Sequence, residues 1–205
     1  MAITVVIPSD EIVNAQINSN AGIERSKLAL EEKVFTLALE TFRVHDAFQT
    51  SLPTSASSDD LGLIIGTFGT DAVVVQTSDA KNTTVTQRAR FSVRLPESYA
   101  SGQAIKIVPF AGMKTTVANG TATIDVEAYA KNTSTGLVGS DLVTTSATTI
   151  NSLTAAAKEF TVTPTGLVAG DELDVRVTIA ITDSATGTAV IGRITRLYLQ
   201  LGIRG

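Results

Sequence analysis

The sequence predicts an all-β protein, an antiparallel two-sheet β-sandwich, and three observations lead to this fold class. The 205 residues are 43% hydrophobic but only 5% aromatic and 18% charged, so the apolar content is mainly Val, Ile, Leu and Ala. Several segments alternate apolar and polar residues, which is the pattern of a strand with one buried face. Polar turns separate these segments at spacings of about 8–15 residues, as is typical of sandwiches and barrels.

The most regular of these segments is 167–183, which begins with a turn at Gly170-Asp171. A side-chain period of two gives this strand one apolar face, formed by Leu173, Val175, Val177, Ile179 and Ile181. An apolar face of this length must be covered by another layer. We therefore expect the segment to be a central strand of the sandwich.

The segment Thr86–Leu95 is the second most regular strand, with Phe91 on its apolar face and three arginines on the other, and Pro96 ends it. Together with these two segments, the alternation predicts roughly nine or ten strands. The remaining predicted strands are 33–39, 61–68, 72–76, 104–110, 121–130, 141–149, 159–163 and 189–203. Residues 132–139 and 152–158 are predicted as turns or links.

A jelly-roll-like arrangement of the two sheets fits the number of strands and the chain length best. An immunoglobulin-like sandwich is the alternative, and the absence of Trp and Cys weakens it. Residues 40–205 are predicted to form the sandwich domain and residues 1–39 an extended N-terminal arm, because the core pattern is weak before Leu28. One short helix is predicted at Ser26–Glu32, where helix-forming residues cluster and Lys27 and Glu31 lie four positions apart.

Charge and hydropathy exclude two classes of partner. A net charge of −4 and an isoelectric point near 5.0 argue against nucleic-acid binding, which needs a clustered basic face. No run reaches the roughly 20 apolar residues of a membrane helix. The first ten residues lack the basic start of a secretory signal. The low-charge, Thr-rich chain therefore fits either an ordinary cytoplasmic β-protein or one that is assembled inside a cell and then released.

The sequence contains few groups that could perform catalysis, so we predict a non-enzymatic protein without cofactors. His45 is the only histidine and there is no cysteine. No serine lies in the Gly-x-Ser-x-Gly context of a nucleophile elbow. The adjacent acids Glu31-Glu32, Asp59-Asp60 and Asp171-Glu172 are poor glycosidase pairs, because neighbours on a strand point to opposite faces.

The pair Asp59-Asp60 has two possible roles. Together with Asp71 or Asp79 it could supply oxygen ligands to a hard cation. Capping of a turn by the aspartate side chains is the simpler role, and no spaced calcium-loop motif is present.

Candidate interface residues fall into three groups. Apolar residues of the arm could dock on a neighbour, because an isolated strand leaves its backbone groups unpaired, and a disordered tail is the alternative. A basic stripe on one strand could pair with Asp125 and Glu127 on a neighbouring strand, or with a partner subunit. Two tyrosines fall on the faces opposite the apolar sets of their strands, where they could meet a ligand. The three groups are Ile3, Val5, Ile7, Ile12, Ile23 and Leu28; Arg88, Arg90 and Arg94; and Tyr129 and Tyr198.

Four stretches resemble structural proteins of tailed bacteriophages. They are Phe42–Pro53 (FRVHDAFQTSLP), Asp59–Leu63 (DDLGL), Gly66–Thr70 (GTFGT) and Leu167–Asp171 (LVAGD). The likeness extends over most of residues 40–203. It implies a jelly-roll capsid decoration (cement) protein, which binds the outer surface of a phage head and stabilises contacts between capsomers.

This resemblance also implies partners and a location. The expected partner is the major capsid protein, with self-association as a homotrimer, and the expected location is the capsid surface of a virion assembled in the host cytoplasm. The alternative is a receptor- or glycan-binding module of a phage fibre, tail or head spike, with a saccharide held at loops near Tyr99 or Asn132. An enzyme on the same fold is a further alternative, which the scarcity of suitable titratable groups argues against.

Overall fold

The computed structural model describes residues 28–132 and 136–204, which form two antiparallel sheets. The predicted antiparallel, jelly-roll-like two-sheet sandwich is therefore confirmed. No helix in the described ranges is long and apolar enough to cross a membrane. In chain order the strands are β1 (Leu30–Leu37), β2 (Gly62–Ile64), β3 (Val74–Gln76), β4 (Thr84–Arg94), β5 (Ile105–Thr115), β6 (Gly120–Asn132), β7 (Gly136–Val138), β8 (Thr148–Thr149), β9 (Ala156–Ala157), β10 (Phe160–Val162), β11 (Glu172–Asp183) and β12 (Ile191–Arg204).

The larger sheet has the order β10-β5-β12-β3-β2, with β1 added beside β12 and β9 beside β5. The smaller sheet has the order β4-β11-β6-β7, with β8 beside β6. β11 therefore lies between two long antiparallel neighbours, which confirms that it is a central strand. β7 and β9 fall in segments that were predicted as turns or links. They form because β7 runs beside the end of β6 and β9 runs beside the middle of β5, pairings that local sequence does not specify.

The core lies between the two sheets and follows the predicted alternation closely. The five apolar residues predicted on one face of β11 are all fully buried, and Phe91 of β4 is buried beside Phe42 in an edge-to-face contact of 5.1 Å between ring centroids. Burial of each such side chain contributes about 1.5–3 kcal/mol. The core extends from Leu39 to Ile203.

The prediction of a short helix at Ser26–Glu32 is wrong for its described part. Leu30–Leu37 is a strand that pairs with β12 along its whole length, from Leu30 opposite Arg204 to Leu37 opposite Leu197. Pairing with an existing strand outweighs the helix propensity of Glu and Lys. The only helical turn among the described residues is the 3-10 turn Leu39–Thr41. Although β1 was assigned to the N-terminal arm, it belongs to the larger sheet.

Candidate ligand-binding cleft

The outward face of the smaller sheet carries a cluster of charged residues of both signs. Alternation along β4, β11 and β6 turns the apolar residues inward and the polar residues outward. The strand register then sets the polar residues side by side in rows of three. From one end of the sheet these rows are Arg94, Glu172 and Lys131; Ser92, Asp174 and Tyr129; Arg90, Arg176 and Glu127; and Arg88, Thr178 and Asp125.

Arg90 and Asp174 form the central ion pair of this face. Arg90 Nε donates to Asp174 Oδ1 at 2.6 Å, and a second guanidinium nitrogen donates to Asp174 Oδ2. The Asp174 side chain is only 5% exposed, so this bidentate pair is held rigidly. The hydrogen bond to Asp174 raises the pKa of Arg90 above its usual value. The guanidinium also lies over the Phe48 ring, 4.9 Å from its centroid.

Arg176 pairs with Glu127 in the same row, and Arg176 Nε donates to Glu127 Oε2 at 2.6 Å. This contact corrects the expectation that the arginines of β4 pair with Asp125 and Glu127. The two strands are not neighbours, because β11 lies between them and supplies the partner for Glu127.

A third pair closes the end of the face. Lys131 Nζ donates to Glu172 Oε1 at 2.8 Å, and the Ser92 hydroxyl donates to the same oxygen. The hydrogen bond from Lys131, followed by that from Ser92, lowers the pKa of Glu172. The carboxylate is therefore fixed in its charged form at neutral pH.

A cleft of about 170 Å³ lies at the centre of this face. We call it the Tyr129 cleft, and it is lined by His45, Arg90, Tyr129, Asp174 and Arg176. Burial is the main cause that raises the pKa of the Tyr129 hydroxyl, which therefore stays protonated at neutral pH and can both donate and accept a hydrogen bond.

One wall of the cleft comes from residues 43–51, which run beside the edge of β4. Backbone hydrogen bonds join Arg43 and Arg90 in both directions, at 2.7 and 3.0 Å. A further bond from Val44 N to Thr50 O, at 3.0 Å, closes the segment on itself. The segment thereby holds His45 against the sheet.

The interface residues predicted from sequence are distributed over different parts of the protein. Arg90 and Tyr129 meet in the cleft, whereas Arg94 turns away to Glu97 at 2.7 Å. Tyr198 lies on the larger sheet, edge-to-face with Phe110 at 5.3 Å between ring centroids. Arg88 is partly exposed in the outward row beside Thr178 and Asp125, and Leu28 accepts a hydrogen bond from Arg204 through its carbonyl oxygen. The predicted arm residues Ile3, Val5, Ile7, Ile12 and Ile23 lie outside the described residues.

Three residues of the site were missed as site residues by sequence reasoning: His45, Asp174 and Arg176. The alternation of β11 already placed Asp174 and Arg176 on the polar face. The opposite charges of Asp174 and Arg176, two positions apart on the outward face of one strand, could have indicated a site there. No local signal connects His45 to them, because it arrives from a separate segment.

A possible group of metal ligands includes a histidine that was not expected there. Ligand atoms of His45, Asp59 and Asp60 all lie within 4.8 Å of one another. Asp71 and Asp79, the predicted companions of the acid pair, instead cap turns by accepting hydrogen bonds from backbone N–H groups.

No protein-family model matches the chain, and no curated protein matches it. Among solved structures the chain is similar to the xylan-binding module CBM15, at 15% identity and a TM-score of 0.42 over 83% of this chain and 97% of that one. It is also similar to the CBM36-1 domain of a multidomain xylanase from the hindgut metagenome of Trinervitermes trinervoides, at 14% identity and a TM-score of 0.35 over 85% of this chain and 99% of that one.

A viral structure is similar at a lower level. Infectious bursal disease virus, Gt strain, matches at 16% identity and a TM-score of 0.27 over 76% of this chain and 42% of that one. Likeness at these levels carries no argument about function. The functional argument therefore rests on the geometry of the Tyr129 cleft.

Proposed function

We propose that this protein is a non-catalytic binding module that holds a saccharide in the Tyr129 cleft. The observation that carries the proposal is a cleft of about 170 Å³ that is lined by Tyr129 and by four further side chains able to form hydrogen bonds. A sugar ring presents hydroxyl groups that both donate and accept, together with an apolar C–H face. The cleft offers guanidinium donors, a carboxylate acceptor and an aromatic ring, which match those two properties.

The balance of charge in the cleft favours a neutral ligand. Arg90 is paired with Asp174, and Arg176 is paired with Glu127. Each positive charge is thus offset by a negative one within the same network, so the cleft does not select an anion or a cation. The remaining N–H groups and lone pairs of these side chains are available for hydroxyl groups.

The network also orders the cleft before any ligand arrives. The bidentate contact between Arg90 and Asp174, and the packing of Arg90 on Phe48, fix side chains that would otherwise lose rotamer freedom on binding. Such ordering costs about 0.5–1.5 kcal/mol for each side chain immobilised. Because these side chains are already ordered, ligand binding to this cleft costs less free energy than binding to a cleft with mobile side chains.

A glycan array followed by calorimetry tests this proposal. We expect the wild-type protein to bind a neutral saccharide and the substitution Tyr129→Ala to weaken binding about tenfold. The reason is that an aromatic contact contributes about 0.5–1.5 kcal/mol beyond its buried area, and 1.4 kcal/mol corresponds to a factor of ten. Thermal unfolding of each variant checks that the fold is retained.

The matched control is Tyr198→Ala, which removes the tyrosine on the outer face of the other sheet. We expect this variant to bind the saccharide as the wild type does. Equal loss of binding in both variants, or a wild-type protein that binds no saccharide on the array, would contradict the proposal.

We also propose a second candidate function, decoration of a phage head through the major capsid protein. The loop between β2 and β3 supports it, because Phe68 is completely exposed and Ile65 is 58% exposed. The loop is ordered by hydrogen bonds from Thr67 N to Asp71 Oδ2 and from Thr70 N to Thr67 O, both at 3.0 Å. Aromatic residues, including Phe, are enriched at protein interfaces relative to the rest of the surface. In this role the protein acts as a homotrimer on the capsid surface.

A further inference from the structure

We propose that His45, Asp59 and Asp60 form a binding site for a divalent transition-metal ion, and that Zn²⁺ fits it best. His45 Nδ1 lies 3.2 Å from Asp60 Oδ1, and His45 Nε2 lies 3.4 Å from Asp59 Oδ2. The site adjoins the Tyr129 cleft through His45. The proposal does not depend on saccharide binding and is tested without a saccharide.

Two separately anchored segments bring the three side chains together. His45 follows Arg43, whose backbone pairs with that of Arg90 on β4. The turn that carries the two acids is tied to the same strand by hydrogen bonds from Arg88 N to Asp59 O at 2.7 Å and from Leu61 N to Arg88 O at 2.9 Å. The backbone therefore fixes the distance between the ring and the carboxylates, as a metal site requires.

Both nitrogens of the His45 ring face a carboxylate oxygen. A neutral imidazole has one N–H donor and one lone pair. When Nδ1 donates to Asp60, the lone pair of Nε2 and Asp59 Oδ2 can bind one metal ion together. The Asp59 side chain is 49% exposed, so an ion can reach these two atoms from solvent.

The geometry matches a tetrahedral ion. Two ligand atoms at about 2.1 Å from Zn²⁺ and at a tetrahedral angle are about 3.4 Å apart, which is the separation between Nε2 and Asp59 Oδ2. Asp60 Oδ1 then accepts a hydrogen bond from Nδ1–H and orients the ring, as carboxylates do behind zinc-bound histidines. The imidazole ligand favours Zn²⁺ over Ca²⁺ or Mg²⁺, which prefer oxygen. The remaining coordination positions are open to water.

Titration of the full chain with ZnCl₂, with CaCl₂ and MgCl₂ in parallel, tests the site by calorimetry. His45 is the only histidine in the chain, so its imidazole nitrogens give the only ring signals of this type in a ¹⁵N spectrum. We expect one Zn²⁺ per chain, a shift of the Nε2 signal, and no heat of binding from Ca²⁺ or Mg²⁺. A wild-type protein whose His45 signals are unchanged by Zn²⁺ would overturn the proposal, whatever the variants do.

Variants separate the ligand from the orienting residue. We expect Asp59→Asn to abolish Zn²⁺ binding and Asp60→Asn to weaken it about 10–100-fold. The control Glu159→Gln removes one carboxylate charge beside Lys106 on the other sheet and should leave binding unchanged. Thermal unfolding confirms that each variant is folded. Equal affinity in the wild type and in a folded Asp59→Asn variant would also overturn the assignment.

Discussion

Single polar side chains inside the sandwich determine where its loops lie. Gln87 is fully buried on the inward face of β4. Its amide oxygen accepts a hydrogen bond from Ser78 N at 2.7 Å, and its amide nitrogen donates to Ser58 O at 3.1 Å. A buried polar group left without a partner costs about 1–3 kcal/mol. Gln87 therefore holds two loops against the core, one of which carries Asp59 and Asp60.

Asp183 has a comparable role at the end of β11, beside the start of β4, and it yields a prediction of pH dependence. Its carboxylate accepts hydrogen bonds from Thr186 Oγ1 at 2.5 Å and from Asn82 N at 2.8 Å. The bond from Thr186 is the main cause that lowers the pKa of Asp183 below 3.8, its ordinary value. We expect Asp183→Asn to lower the melting temperature at neutral pH. The difference from wild type should shrink as the pH falls below 3.8, because protonation in the folded state removes the contribution.

The variant Thr186→Val provides the control for Asp183, because it removes the hydroxyl donor while keeping a similar shape. Thr186→Val should reduce the pH dependence of the melting temperature. The remaining pH dependence should come from the hydrogen bond that Asn82 N donates to Asp183. Thermal unfolding between neutral pH and pH 2 measures both effects. A difference between wild type and Asp183→Asn that grows toward low pH would show that the sign is wrong.

Residue-level reasoning from sequence identified side chains better than it identified their partners. Arg90 and Tyr129 were selected because alternation placed them on polar faces, and both line the cleft. Their partners depend on which strands are neighbours, and the strand order is a long-range property. Glu127 was thus assigned to the arginines of β4, although β11 lies between and supplies Arg176.

At the scale of an element, the start of β6 depends on one glycine. Gly120 has φ of +150° and pairs with Asp183 of β11. A β-carbon at this position would lie 1.9 Å from the carbonyl oxygen of Thr182, which is part of the neighbouring strand. We expect Gly120→Ala to lower the free energy of unfolding by about 1–3 kcal/mol, because strained backbone of this kind costs that much. Denaturant unfolding measures the change.

Gly187 provides the matched comparison for Gly120. It lies outside the strands, and an added β-carbon there meets nothing within 4 Å. Gly187→Ala should change the free energy of unfolding by less than about 0.5 kcal/mol. If Gly120→Ala and Gly187→Ala were equally stable, β6 would be able to shift away from β11 without lowering the free energy of unfolding.

Long, regular strands were predictable, whereas short or unusual ones were not. β11 and β4 contain enough alternating residues to define both their type and their inward faces. β1 has the sequence LEEKVFTL, in which helix-forming residues and a partial alternation compete. Its strand conformation comes from pairing with β12 rather than from covering by a second layer, since Val34 is 57% exposed. Because the paired residues of β1 and β12 lie about 170 positions apart in the chain, no pattern within β1 predicts their pairing.

At the scale of the whole molecule, the cleft arises from four separate parts of the chain. Residues 43–51 supply His45, β4 supplies Arg90, β6 supplies Tyr129, and β11 supplies Asp174 and Arg176. Sequence patterns predicted the strands and their polar faces, but no pattern predicted that the segment after the 3-10 turn runs along β4. A binding surface made by the packing of separate segments becomes visible only with the strand order.

The role of the N-terminal residues is the remaining prediction about the whole molecule. Both sheets and the core from Leu39 to Ile203 form within residues 30–204. We expect deletion of residues 1–20 to leave a cooperatively folded sandwich with a melting temperature close to that of the wild type. If the second candidate function is correct, the deletion should abolish binding to phage heads, because a contact by Ile3, Val5 and Ile7 would be needed in addition to that of the loop carrying Phe68.

Co-sedimentation with phage heads that lack the protein measures this binding, and mass measurement in solution tests the predicted homotrimer. The substitution Tyr129→Ala serves as the control, because it alters the cleft and leaves residues 1–20 intact. It should sediment with the heads as the wild type does. Binding by the truncated protein would refute the role of residues 1–20. If neither the wild type nor the variants bind, saccharide recognition in the Tyr129 cleft is the function left to test.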